Sequence, residues 1–223
     1  MIYLLDENAG EKTLKLKGER YKYLIKVRRH NLGDIISFRN KKSIDILHSY
    51  KIVSLESRDV VLELLESKNK SVVPSKNLHI GWCMIDTKSI EKVLPSLSEI
   101  GVKKISFIYC KRSQKNFKVD LKRFNRILEA SMQQSGRSSY IEFEVFDNLL
   151  EFLKLYKDVK VFDFCDNVLV DSSGFESVLI GCEGGFDEKE RELLLGYDSF
   201  RLDTPMVLRS ESAVFAVASK ILL

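Results

Sequence analysis

The chain has 223 residues, 44% hydrophobic and 30% charged, with a formal net charge of +4. These proportions suit a soluble globular protein of one large or two smaller domains, and no uncharged run approaches the roughly 20 residues of a membrane helix. The opening Met1–Asp6 lacks a basic stretch, a long apolar core and a cleavage motif, so no signal peptide is expected and a cytoplasmic protein is.

Taken in chain order, the first part reads as short strands. Thr13–Lys17 alternates apolar and polar residues, Asp45–His48 does so more loosely, and Asp59–Leu65 is a β-branched run bounded by charge. Turns at Asn40–Lys42 and Ser57–Asp59 at close intervals predict a small β-barrel, with a short helix over Glu19–Arg29. The polar, proline-marked stretch 71–77 reads as a linker, which gives an N-terminal domain over 1–70 and a second over 78–223.

From Leu78 onward strands alternate with helices. Strands are expected at Leu78–Cys83, Lys104–Cys110, Ile141–Phe146, Val159–Phe164, Ser177–Gly181 and Ser199–Asp203. Ile90, Val93, Leu94, Leu97 and Ile100 fall at helical spacing, with Pro95 expected to kink or shorten that helix and Gly101 to stop it. Further helices run from about Val119 to Ser135 and from Ala213 to Leu223. This alternation predicts an α/β fold with a mostly parallel sheet, whose ligands bind at the carboxyl ends of the strands.

Charge is uneven. Residues 1–72 carry 15 Lys+Arg against 10 Asp+Glu, and Lys111–Arg137 carries eight against two, a distribution that suits a phosphate-rich partner. The four cysteines and three histidines form no ligand-spaced cluster, so no metal site is expected and the thiols read as reduced and mostly buried. No Ser–His–Asp arrangement suggests a hydrolase.

Two segments carry chemistry. Val178–Gly181 runs into Cys182–Gly185, and a helix follows with Asp187 as N-cap and Glu190 completing a capping box. Glycines at such a turn let backbone approach a ligand, although a plain βα turn has the same look. Glu183 inside the turn would repel phosphate and suits a cationic ligand or a ribose hydroxyl. In Leu208–Ala213, Ser210 reads as N-cap and Glu211 as a first-turn acid. Arg209 is a cation at the positive end of a helix, which points to an anionic partner. Gln133–Arg137 is ordinary C-capping around Gly136.

Together these strings resemble the RsmE family of bacterial ribosomal RNA uridine-N3 methyltransferases, of the SPOUT class. The family's I-G-P-E-G-G, L-R-T-E-T-A, E-Q-S-G-R, E-L-G-V and R-S stand here as Ile180–Gly185, Leu208–Ala213, Gln133–Arg137, Glu99–Val102 and Arg112–Ser113. Val27–Arg29 and Leu32–Asp34 resemble its N-terminal V-L-R and G-D, so the likeness spans the chain. Cys182 replaces the turn proline, Ser210 and Ser212 replace threonines, and Gln133, Asp86, Thr204 and Met206 also depart from the pattern.

The resemblance implies a C-terminal SPOUT domain with a deep trefoil knot, preceded by a small PUA-like β-barrel that binds RNA. It implies S-adenosylmethionine as cofactor, contacted by Gly181, Glu183, Gly184, Gly185, Leu202 and Leu208. Arg209, Glu211 and Arg137 become the catalytic candidates, with Glu183 an alternative proton acceptor. Lys26, Arg29, Arg112 and Arg137 become the RNA contacts. The implied partners are 16S rRNA or the assembled 30S subunit, and a second copy of the chain in a homodimer, with no metal and no membrane. Two other readings stand beside it: an RNA-binding protein of this architecture that no longer catalyses, and a SPOUT enzyme acting on another RNA atom such as a ribose 2′-hydroxyl.

Overall fold

A computed structural model describes residues 2–113 and 118–223, so Lys115 of the basic stretch lies outside the described residues. The chain folds as two compact units, one of Met1–Val73 with Met132–Ser139 and one of Pro74–Ser131 with Tyr140–Leu223.

The first unit is a five-stranded sheet. Its strands are β1 (Leu4–Leu5), β2 (Thr13–Lys17), β3 (Ile35–Asn40), β4 (Ser43–Leu55) and β5 (Asp59–Asn69), in the order β1-β3-β4-β5-β2. The β1–β3 pair is parallel and the others antiparallel. The alternation in β2 does what its period dictates: Leu14 and Leu16 enter the core beside Tyr50, Ile52, Val60 and Leu62, while the lysines face water. The expected helix is split into one α-helical turn, α1 (Gly18–Tyr21), and a π-helical continuation over Lys22–Val27. Arg28 closes that continuation by donating its N–H to the Tyr23 carbonyl. The buried Arg39 is held by backbone and an aromatic face. It donates to the carbonyls of Ile44 (2.6 Å) and Lys70 (2.7 Å) and lies 4.9 Å over the Tyr3 ring. The stretch 132–139 enters this unit through backbone: Ile2 N–H donates to the Gln133 carbonyl at 2.8 Å, and Tyr3 Oη donates to that of Arg137 at 2.7 Å. Nothing in the local sequence foretells that membership.

The second unit is α/β. Strands β6 (His79–Cys83), β7 (Lys104–Ile108), β8 (Glu142–Phe146), β9 (Lys160–Phe162), β10 (Ser177–Ile180) and β11 (Ser199–Phe200) form one parallel sheet in the order β11-β9-β10-β6-β7-β8. Helices α2 (Thr87–Ile100), α3 (Leu121–Ser135), α4 (Leu149–Leu155), α5 (Glu188–Leu193) and α6 (Ser210–Leu222) complete the element order. Every residue of β6 is buried, as a central parallel strand requires. Gly81 on it has no alternative: a Cβ there would sit 2.5 Å from the Phe152 ring.

Several local expectations change. Pro95 does not end α2, which runs on to Ile100 and stops at Gly101 in the left-handed conformation, φ 98°. Asp86 is the N-cap of α2, accepting from the Ser89 N–H at 3.0 Å, so the acid serves the helix dipole there. The strand expected over Ser199–Asp203 is only Ser199–Phe200, and α4, which sequence reading leaves out, follows an Asn148 cap.

At the amino edge of the sheet a polar network surrounds His79. Its Nδ1 meets Ser177 Oγ at 2.9 Å and its Nε2 meets Ser106 Oγ at 2.8 Å. Ser106 and Tyr156 donate to Glu144, and Lys104 pairs with that carboxylate at 2.7 Å. Burial, with Lys104 adding to it, pushes the His79 pKa down to about 4.

Candidate functional site

The cleft that collects the sequence-marked glycines lies at the carboxyl edge of the parallel sheet. Phe162, Ile180 and Phe200, the last residues of β9, β10 and β11, form its floor. The Gly181–Gly185 turn, the 201–208 segment and the first turn of α6 form its walls. That is where an open α/β sheet presents loops rather than strand edges.

The turn is made by backbone. Gly185 N–H donates to the Cys182 carbonyl at 2.9 Å, and Gly185 adopts φ 64°, a conformation costly for any residue with a side chain. A Cβ on Gly181 would come within 3.4 Å of Gly185 Cα and 3.5 Å of the Phe186 ring. Asp187 caps α5 in the expected capping box with Glu190, and the second oxygen of Glu190 accepts from Lys111 N–H at 2.7 Å. One buried carboxylate thus ties the glycine turn to the loop after β7. From that loop Arg112 Nη1 donates to the Gly184 carbonyl at 2.7 Å.

Ser210 is not the N-cap. Arg209 holds that position with extended backbone and no side-chain capping bond, and Ser210 is the first helical residue. Its buried hydroxyl donates to the Gly181 carbonyl at 2.6 Å and accepts from Trp82 Nε1 at 2.9 Å. Sequence reading misses this pairing, because a serine at a helix start already has a local explanation.

The thiols behind the turn are buried. Cys83 lies against Cys110 and near Cys182, and burial pushes the pKa of both Cys83 and Cys182 up, which disfavours a nucleophilic thiolate. Among the described residues no group of three or more His, Cys, Asp or Glu could hold a metal ion, and no helix is long and apolar enough to cross a membrane.

The expected site residues divide as follows. Gly181, Glu183, Gly185, Leu202 and Leu208 line the cleft; Gly184 borders it through its bond from Arg112. Arg209 is exposed and Glu211 half-buried at the start of α6, beside the lining residues Leu208, Ser210 and Ala213. Lys26 and Arg29 are exposed in the first unit, and Arg29 holds a left-handed φ of 58°. Arg137, expected to face RNA, is only 4% exposed in that unit; its Nε donates to Ser139 Oγ at 3.1 Å, and burial pushes its pKa down to about 10.

Comparisons with known proteins agree with this geometry. The profile of the RNA methyltransferase domain family matches residues 73–222. A Helicobacter pylori protein named ribosomal RNA small subunit methyltransferase E is 40% identical over 223 residues, covering 98% of each chain. Among solved structures, ribosomal RNA small subunit methyltransferase E of Neisseria gonorrhoeae, bound to S-adenosylmethionine, superposes with a TM-score of 0.74. It does so at 20% identity over 98% of this chain and 95% of its own. A Legionella pneumophila methyltransferase structure with bound S-adenosylmethionine gives 0.76 at 20% identity, over 99% and 95%. At that identity the two structures speak for the α/β fold, and the curated relative and the domain profile speak for descent. The chain belongs to the ribosomal RNA small subunit methyltransferase E family.

Proposed function

We propose that this chain methylates N3 of one uridine in the decoding region of 16S rRNA, with S-adenosylmethionine as methyl donor. The observation that carries the reading is the glycine-rich Gly181–Gly185 turn at the carboxyl edge of the sheet, facing Leu202 and Leu208 across one cleft. The donor set fits such a group. Backbone and apolar walls suit a nucleoside, and the exposed Glu183 carboxylate suits its cationic sulfonium and amino end. When bound, S-adenosylmethionine supplies an electrophilic methyl group that leaves a neutral thioether behind.

The work left to the chain is orientation and proton handling. N3 of uracil lies on the Watson–Crick edge and starts protonated, so the base must be unpaired and must lose that proton. Glu183, which lines the cleft, and Glu211, half-buried at the start of α6 beside it, are the carboxylates offered as acceptors. Arg209, exposed at the start of α6 next to Leu208, supports the negative charge that develops on the uracil carbonyls. Arg112 adds charge from the neighbouring loop, and Lys26 and Arg29 hold RNA phosphates from the N-terminal domain. Arg137 belongs to the same set in this proposal, but at 4% exposure it must move to touch a phosphate.

The finer architecture is part of the proposal: a PUA-like barrel over 1–70, a linker over 71–77 and a knotted SPOUT domain over 78–223. The hydrogen bond that joins Ser210, after β11, to Gly181, after β10, supports a C-terminal segment threaded beside the earlier turn. A homodimer acting on 16S rRNA or the assembled 30S subunit completes the reading, and the exposed Met206, Val207 and Phe164 around the cleft support the dimer. The test is nucleoside mass spectrometry of small-subunit rRNA from a strain lacking the gene. Loss of 3-methyluridine, restored by the gene, is expected; its persistence overturns the reading.

A further inference from the structure

We propose that Ser210 is a positioning residue for cofactor binding, its buried hydroxyl fixing the first peptide of the glycine turn against the protein's one tryptophan. The inference rests on the proposed function and adds to it a residue that touches neither RNA nor the reacting atoms.

Three elements meet at this hydroxyl. Trp82 lies on β6, in register opposite Ile180 of β10, and is fully buried with its ring 6.2 Å from that of Phe107. Its indole N–H donates to Ser210 Oγ at 2.9 Å, which leaves the hydroxyl proton one destination, the Gly181 carbonyl at 2.6 Å. The directions are therefore set: an indole can only donate and a carbonyl can only accept, so the serine relays between them. Ser210 is also diverted from its ordinary use, since Arg209 is the N-cap and no side-chain capping bond is made there.

The consequence falls on the cleft. Gly181 has no Cβ to restrict its torsions, and Cys182 places no ring on the next one, so the Gly181–Cys182 peptide has little intrinsic preference. A planar trans peptide sets a carbonyl and the following N–H on opposite sides. Pinning the Gly181 carbonyl to Ser210 therefore fixes where the Cys182 N–H points. Gly181, Cys182 and Ser210 all line the cleft, so this orientation is part of its wall. Preorganising a ligand-contacting peptide strengthens binding by removing an ordering cost.

The experiment measures S-adenosylmethionine affinity by calorimetry in the full-length protein and in Ser210→Ala, Ser210→Thr and Ser210→Val, with folding followed by circular dichroism. Ser210→Ala is expected to weaken binding by roughly three- to tenfold, the worth of one neutral hydrogen bond, while Ser210→Thr stays within about twofold of the parent. Ser210→Val, which keeps the bulk of threonine without its hydroxyl, should bind like the alanine variant. Fluorescence gives a second readout, since emission comes from Trp82 as the one tryptophan in the chain. Its spectrum should shift on cofactor addition in the parent and Ser210→Thr, and less in Ser210→Ala. Equal affinity of parent, alanine and valine variants overturns the inference, as does failure of threonine to restore binding. If neither alanine nor valine folds, the hydroxyl holds the chain together rather than tuning the turn, which also overturns it. A parent protein that binds no S-adenosylmethionine overturns the functional proposal instead.

Discussion

Arg112 donates to the Gly184 carbonyl at 2.7 Å, so a cation expected to face RNA is hydrogen-bonded to the glycine turn. A Cβ on Gly184 would sit 3.2 Å from Arg112 Cβ and Cδ, which shows how closely the two segments approach. Arg112→Ala should therefore weaken S-adenosylmethionine binding by about three- to tenfold with no RNA present, because one turn carbonyl loses its partner. Arg112→Lys should recover only part of this, since an ammonium lacks the planar fork of a guanidinium. Unchanged cofactor affinity in Arg112→Ala, measured by calorimetry, would assign the residue to RNA alone.

The two candidate proton acceptors, Glu211 and Glu183, separate by kinetics. Removing a general base costs about 10²- to 10⁴-fold in kcat, whereas removing a group that only binds cofactor appears chiefly in its KM. Glu211→Gln and Glu183→Gln should therefore differ in kind, one losing kcat and the other cofactor affinity. Single-turnover methylation of a decoding-region RNA or 30S subunit reads this directly. Parent-like rates in both variants would remove the carboxylates from the reaction.

Lys26 and Arg29 make a prediction about salt. Each cation removed from a phosphate should lower the slope of log affinity against log salt by about one, uniformly over RNA sequence. Arg29→Ala is informative because alanine meets the same φ of 58° that arginine does, so backbone strain stays nearly constant while the charge disappears. Filter binding at several salt concentrations measures the slope. An unchanged slope in the double variant Lys26→Ala/Arg29→Ala would place RNA elsewhere.

His79 should make the protein acid-sensitive. Its pKa is about 4 when folded against 6.5 in the unfolded chain, because burial and Lys104 disfavour the cation. Above 6.5 both states hold it neutral and the stability is complete. As pH falls from 6.5 towards 4 the unfolded state takes up a proton that the folded state refuses, and stability declines by up to roughly 3 kcal/mol. Thermal melts across this window should show a falling Tm that flattens in His79→Gln; equal slopes in both proteins would refute the assignment.

Gly81→Ala tests the packing of β6 against α4. The added methyl would overlap Phe152, itself held between Phe146 at 5.5 Å and Tyr156 at 4.8 Å between ring centroids. Such overpacking costs about 1–3 kcal/mol, a fall in Tm of roughly 2–12 °C in a protein of this size. Phe152→Leu in the same chain should return part of it. A Tm equal to the parent's would mean that the ring has room to yield.

Much of this organisation is readable from residue patterns. Period-two alternation marks β2, the apolar run Val178–Ile180 marks β10, and the Asp187 and Glu190 pair marks the start of α5 because a capping box is a local interaction. Legibility fails where tertiary structure overrides local rules. Pro95 lacks one helical hydrogen bond, yet α2 keeps Ile90, Leu94 and Leu97 buried on both sides of it, and that burial outweighs the missing bond. Ser210 has the local look of a cap, but its bonds are to Trp82 and Gly181, distant in sequence and invisible to any window. Arg137 has the charge of an RNA-binding residue, yet it is buried, in a stretch whose membership of the first unit no local pattern announces.

That re-entry bears on how such a chain can be inherited. Residues 132–139 belong to the first unit although the gene writes them in the midst of the second. A break or crossover near codon 73 would hand the first unit on without the Gln133 carbonyl that receives the Ile2 N–H or the Arg137 carbonyl that receives Tyr3. Each unit is therefore encoded in two separate stretches, and no single cut of the gene releases either one whole.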